Sequence, residues 1–157
     1  MIDWRPGDEK TFLWVWPEVV PHEVCDELAA HPSWPKGNHV QKIVADKKAA
    51  DFFASKLAPF IPDSASHLTK RFTPYVTYTR NVRPVSWHYD EDKGSSHKLY
   101  AYLNNSAGTV FDRKAQIHVP GKKGTLVLFD VELEHRGAEQ VSDEPKIVLG
   151  LRPVRAR

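Results

Sequence analysis

Three residues in this chain have the types and spacing to hold a metal ion: His88, Asp90 and His135. A histidine and a carboxylate two residues apart on a strand point to the same face, and their backbones lie about 7 Å apart, so both side chains can reach one ion. A second histidine arriving from a distant strand gives two imidazoles and one carboxylate on one side of that ion. This facial triad leaves the remaining coordination positions open, as Fe(II) in non-haem oxygen chemistry requires. The His-x-Asp pair alone recurs by chance and also fits a surface strand. The order His-x-Asp, distal histidine and then a basic residue, Lys146, entering an apolar run is more specific. The other histidines (His22, His31, His39, His67, His97 and His118) have no ligand spacing among themselves and read as surface or hydrogen-bonded residues.

Strand parity adds a second chemical feature. In 146–152, Lys146, Val148, Gly150 and Arg152 alternate with Ile147, Leu149 and Leu151, the pattern of a strand with one face under helices and two cations on the other. A buried cation needs an anion, and this strand contains no acid, so a carboxylate from outside the protein is the natural partner. Six residues of strand span about 20 Å, too far for both cations to grip one carboxylate. Lys146 is therefore the expected anchor and Arg152 a rim or supporting residue. A solvated strand-end lysine, and a simple turn at His135-Arg136-Gly137, are the plainer alternatives.

The elements that must position these groups follow from periodicity and punctuation. At 157 residues, with 41% hydrophobic and 11% aromatic content, the chain is expected to form a single domain, 1–157, with a core of its own. Thr11 to Trp16 reads as a strand stopped by Pro17. Pro21 to His31 and Asp46 to Ala58 read as amphipathic helices closed by prolines, with a loop over 31–39 between them. From Arg71 onward, short runs rich in Thr, Tyr and Val alternate with Gly, Asn, Asp and Pro turns, the rhythm of a sandwich or barrel. The expected strands are 72–80, 85–90, 98–103, 108–111, 115–119, 124–129 and 146–151. The fold class is α+β: helical support over about 18–62 and a jelly-roll core over about 70–153.

The runs WHYDED (87–92), LYAYLNN (99–105), GTVF (108–111) and VPGKKGTLVLF (119–129), with His135 and the eleven-residue step from it to Lys146, resemble the Fe(II)/2-oxoglutarate dioxygenases, most closely their prolyl 4-hydroxylase-like branch. The resemblance covers Phe12 to Pro153. It implies a double-stranded β-helix of the cupin-like type, iron on His88, Asp90 and His135, and 2-oxoglutarate held at its far carboxylate by Lys146. Tyr78 and Tyr102 match family positions that hydrogen-bond this cosubstrate. Two departures stand out: Ala107-Gly108 replaces the usual Gly-Gly, and the substrate-covering insertion is reduced to 91–97. Related halogenases lack the carboxylate that Asp90 supplies, so the resemblance implies hydroxylation, with O2 consumed, 2-oxoglutarate decarboxylated to succinate and ascorbate as a stimulant.

The expected activity is hydroxylation of a prolyl residue in a peptide or protein. The alternatives are the same chemistry on a free amino acid, another small molecule or a nucleobase, and, from another class, a non-catalytic cupin-like metal- or ligand-binding protein. A net charge of +2 with no basic, aromatic-interleaved stripe counts against nucleic acid. No apolar run is long enough to span a membrane. The lone cysteine, Cys25, reads as core filler, and the charged first ten residues are unlike a signal peptide, so a reducing cytoplasm is the expected compartment. Trp34 is the aromatic expected at a substrate mouth, and loops over 31–41 and 81–85 are expected to set selectivity.

Overall fold

The computed structural model describes residues 12–37, 39–81, 85–90, 93–139 and 144–154, and 2–4 as backbone. Helix α1 (His22–Ala29) starts at Pro21, whose fixed φ suits a helix entry, and buries Cys25 and Leu28. Helix α2 (Lys47–Leu57) is capped by Asp46, whose carboxylate accepts from the Ala49 N–H at 3.1 Å. It buries Ala49, Ala50, Phe53 and Leu57 on one stripe. Two 3-10 turns, Ala58–Phe60 and Asp63–Leu68, lead from α2 to the sheets. No helix among the described residues is long and apolar enough to cross a membrane.

Strands β1 (Ile2–Trp4), β2 (Leu13–Trp16), β3 (Val40–Ala45), β4 (Phe72–Asn81), β5 (His97–Tyr102), β8 (Leu126–Asp130) and β10 (Lys146–Pro153) form one antiparallel sheet in the order β1-β2-β8-β5-β10-β4-β3. Strands β6 (Ser106–Phe111), β7 (Ile117–Gly121) and β9 (His135–Gly137) form a second, with β6 in the middle. Alternation along each strand makes two cores. Leu13, Tyr100, Tyr102, Val127, Phe129 and Val148 of the large sheet pack on Phe111 and Val119 of the small one. The opposite face of the large sheet, with Leu99, Leu128, Leu149 and Leu151, packs on the helices. The result is the expected jelly-roll core backed by two helices.

Three local expectations need correction. Strands β1 and β3 have no counterpart among the expected strands; both are edge strands, and β3 is defined by its ladder to β4, from Val40↔Arg80 to Ala45↔Tyr75. The strand expected at 85–90 is a single bridge, His88 opposite His135, because β9 offers only three residues to pair with. The strand expected from Ala115 starts at Ile117, since Asp112 and Gln116, both at positive φ, close a turn through a 2.8 Å Gln116 N–H to Asp112 carbonyl bond.

Candidate metal and anion site

His88 and His135 exchange both backbone hydrogen bonds, each 2.9 Å, which sets their side chains on one face with ring centroids 4.3 Å apart. Each ring is oriented from behind: His88 Nδ1 donates to the Ser86 carbonyl at 2.7 Å and His135 Nδ1 to the Leu133 carbonyl at 3.0 Å. Both Nε2 atoms are buried and have no hydrogen-bond partner among the described residues. A buried nitrogen lone pair without a partner is costly, and an imidazole fixed through its other nitrogen is the arrangement of a metal ligand. Burial lowers the His88 pKa, which favours the neutral, coordinating form. His135 is wedged among Phe111, Phe129 and Tyr100.

Asp90 completes the cluster. Its Oδ1 lies 3.3 Å from His135 Nε2 and 3.8 Å from His88 Nε2, and one ligand atom from each of the three residues falls within 4.8 Å of the others. The residues present therefore fit a divalent metal. The other oxygen, Oδ2, faces the Lys98 ammonium at 3.1 Å and accepts from the Tyr100 hydroxyl at 3.1 Å. Burial alone would push the Asp90 carboxyl up; the Lys98 ammonium, with His135, outweighs it and holds the group well below the usual carboxylate range. Trp87 and Tyr89 point away, Trp87 beneath the guanidinium groups of Arg113 and Arg136, Tyr89 into solvent. The parity read from the sequence thus holds without a continuous strand.

Lys146 stands in the same cleft, whose lining includes His88, His135, Tyr100, Thr109 and Val148. Its ammonium donates to the Gly108 carbonyl at 2.8 Å and contacts Thr109 Oγ1 at 3.2 Å, and burial lowers its pKa to about 8. The Tyr102 hydroxyl meets the same Thr109 Oγ1 at 2.6 Å, and its ring lies under the ammonium. Lys146 and Thr109 give the cleft a cationic, hydroxyl-bearing corner; Tyr102 is completely buried, outside the lining, and backs that corner through its bond to Thr109. Gly108 makes that corner possible: at φ +85° a Cβ there would sit 1.9 Å from the Val119 carbonyl oxygen.

Three residues named from sequence lie elsewhere. Tyr78 pairs with Leu149 on the helix-facing side, packs on Trp34 and Phe53 and donates to Ser33 Oγ at 2.5 Å; it does not reach the cleft. Arg152 is completely buried, so it is no rim residue; it is not part of the cleft lining, and its charge acts on Tyr100, which is. Trp34 is a core residue whose indole N–H donates to the Leu28 carbonyl. Conversely, Lys98, Tyr100 and Thr109 belong to the site although sequence reasoning misses them. Parity along β5 holds the signal: Lys98, Tyr100 and Tyr102 share one face, and a lysine inside a central strand needs a partner. Residues 38 and 82–84 of the expected selectivity loops, and 91–92 of the reduced insertion, lie outside the described residues.

No protein-family model matches the chain, and no curated protein matches it in sequence. Solved structures do. A truncated form of the viral collagen prolyl hydroxylase from Paramecium Bursaria Chlorella virus-1 superposes with a TM-score of 0.59 at 21% identity, over 98% of this chain and 96% of that one. A Pseudomonas putida prolyl-4-hydroxylase gives 0.57 at 12% identity, over 92% and 93%. The non-heme alpha ketoglutarate dependent epimerase SnoN from nogalamycin biosynthesis gives 0.60 at 18% identity, over 88% and 77%. At these identities the likeness is one of fold, and the fold of this chain is the double-stranded β-helix that these structures share.

Proposed function

We propose that the chain is an Fe(II)- and 2-oxoglutarate-dependent oxygenase that hydroxylates a prolyl residue in a peptide or protein. The observation that carries this reading is the pair of partnerless Nε2 atoms of His88 and His135 converging with Asp90 Oδ1, in a cleft that also holds Lys146. His88, Asp90 and His135 would bind iron; Lys146, with the Thr109 hydroxyl that Tyr102 backs, would hold the far carboxylate of 2-oxoglutarate. Once loaded, the centre supplies the oxidising chemistry: one oxygen atom of O2 enters a substrate C–H bond and the other ends in succinate as 2-oxoglutarate loses CO2. This chain's residues orient the cosubstrate and keep its charge matched. The ammonium can exchange its neutral oxygens for a carboxylate, a stronger, charge-assisted bond.

The fold likeness to two prolyl hydroxylases over nearly the whole chain supports a prolyl substrate. The likeness to SnoN, an epimerase, supports a second reading in which the same centre attacks a C–H bond of a small molecule. Incubating the purified chain with Fe(II), ascorbate, 2-oxoglutarate and proline-containing peptides distinguishes them. Succinate together with a peptide heavier by one oxygen atom is the expected result. Succinate formed only with a small-molecule substrate moves the assignment to the second reading, and no succinate under any condition overturns both in favour of a non-catalytic binding protein.

A further inference from the structure

The Asp90 carboxylate meets the protein on one side and the histidines on the other. Oδ2 faces the Lys98 ammonium at 3.1 Å and the Tyr100 hydroxyl at 3.1 Å, while Oδ1 alone faces the two Nε2 atoms. This arrangement is built rather than incidental. Lys98 is 1% exposed and lies on the interior face of a central strand, its ammonium 5.0 Å from the Tyr100 ring centroid. The neighbouring strand makes room for its stem with a glycine: a Cβ at Gly150 would lie 2.9 Å from Lys98 Cε, 3.0 Å from Thr77 Cβ and 3.2 Å from Tyr100 Cε1.

We infer that Lys98 and Tyr100 are positioning residues for Asp90: they occupy Oδ2, leave Oδ1 as the oxygen presented to the metal, and Lys98 carries the carboxylate's counter-charge while no ion is bound. The inference rests on the metal-centre reading above. A carboxylate using both oxygens would take two coordination positions, and a site that must also accept 2-oxoglutarate and O2 has none to spare. A buried carboxylate beside two imidazoles would also be an uncompensated charge in the metal-free protein. With Lys98 in place, the Asp90 carboxylate is already paired in the metal-free site, and the barrel can fold before the ion arrives.

The test is a double-mutant cycle on the metal-free chain, read by thermal unfolding: wild type, Lys98→Met, Asp90→Asn and both together, each then repeated with Co(II). Lys98→Met should lower the metal-free midpoint by roughly 10 °C, and this loss should shrink to a few degrees in the Asp90→Asn background, where the charge needing compensation is gone. Co(II) should raise the midpoint of Lys98→Met more than that of wild type, because the ion replaces the missing counter-charge. Should Lys98→Met fail to fold while the double variant folds, the same coupling is shown in extreme form. Equal losses in both backgrounds, or loss of folding in both, would reduce Lys98 to a packing residue and overturn the inference. Tyr100→Phe, which keeps the ring and Lys98, should alter the Co(II) ligand-field spectrum with little change in midpoint; an unchanged spectrum removes Tyr100 from the assignment. If Co(II) leaves wild type unshifted, the metal-centre reading fails, whereas the metal-free cycle still judges the Lys98–Asp90 coupling on its own.

Discussion

His88 and His135, 47 residues apart in sequence, face each other across a two-bond bridge of 2.9 Å contacts that, among the described residues, is the whole of the pairing between their two segments. The metal-facing nitrogens thus owe their convergence to two backbone hydrogen bonds, while two further carbonyls, of Ser86 and Leu133, fix the rings. This economy separates the effects of the two histidines. His88 is half-buried with its ring toward the cleft, so His88→Ala should abolish metal binding and turnover at small cost in stability. His135→Ala should abolish both and also lower stability by ~2–4 kcal/mol, since its ring fills space among Phe111, Phe129 and Tyr100. Co(II) titration with thermal unfolding checks both; full turnover in either purified variant would remove the triad.

Lys146→Ala should raise the 2-oxoglutarate requirement by roughly 10- to 150-fold, the equivalent of ~1.5–3 kcal/mol for a charge-assisted bond. Metal binding should be unaffected, since Lys146 contacts Gly108 and Thr109 and none of the three candidate ligands. Tyr102→Phe should act in the same direction but less, by ~0.5–1.5 kcal/mol. Steady-state kinetics in 2-oxoglutarate measure both; an unchanged requirement in Lys146→Ala would place the anion elsewhere.

The pH dependence of the same step follows from the Lys146 pKa of about 8. The ammonium is the binding form, so the KM for 2-oxoglutarate should be flat below that value and rise about tenfold per pH unit above it. Stability runs the other way. The folded pKa lies below the ordinary lysine value of about 10.4, so between those limits the unfolded chain binds more protons. This residue therefore costs stability below pH 8 and ceases to as pH rises toward about 10.4. Lys146→Met should abolish both trends, and a KM profile that stays flat to about pH 9.5 would show that the amine does not titrate in the free enzyme.

Tyr78→Phe should leave the 2-oxoglutarate requirement unchanged. It removes the hydroxyl bonded to Ser33 on the helix-facing side, so the expected effect is a loss of about 1 kcal/mol, or roughly 2–4 °C in unfolding midpoint. A changed KM with an unchanged midpoint would bring Tyr78 back toward the cleft.

The sequence by itself determined the ligand types, the shared face of His88 and Asp90, and the opposition of Lys146 to Ile147 and Leu149, because side-chain direction along a strand is a local property with a period of two. It also determined the helices, whose caps and apolar stripes lie within a few residues of one another. Tertiary structure decided the rest. Which face of β4 carries Tyr78 depends on its pairing with Leu149, and register across strands is set by distant hydrogen bonds and packing. Edge strands β1 and β3 exist through the ladders they join. The depth of Arg152, and the meeting of Lys98 and Tyr100 with Asp90 Oδ2, arise only when the sheets close on one another, since a buried charge finds its partner through space rather than along the chain.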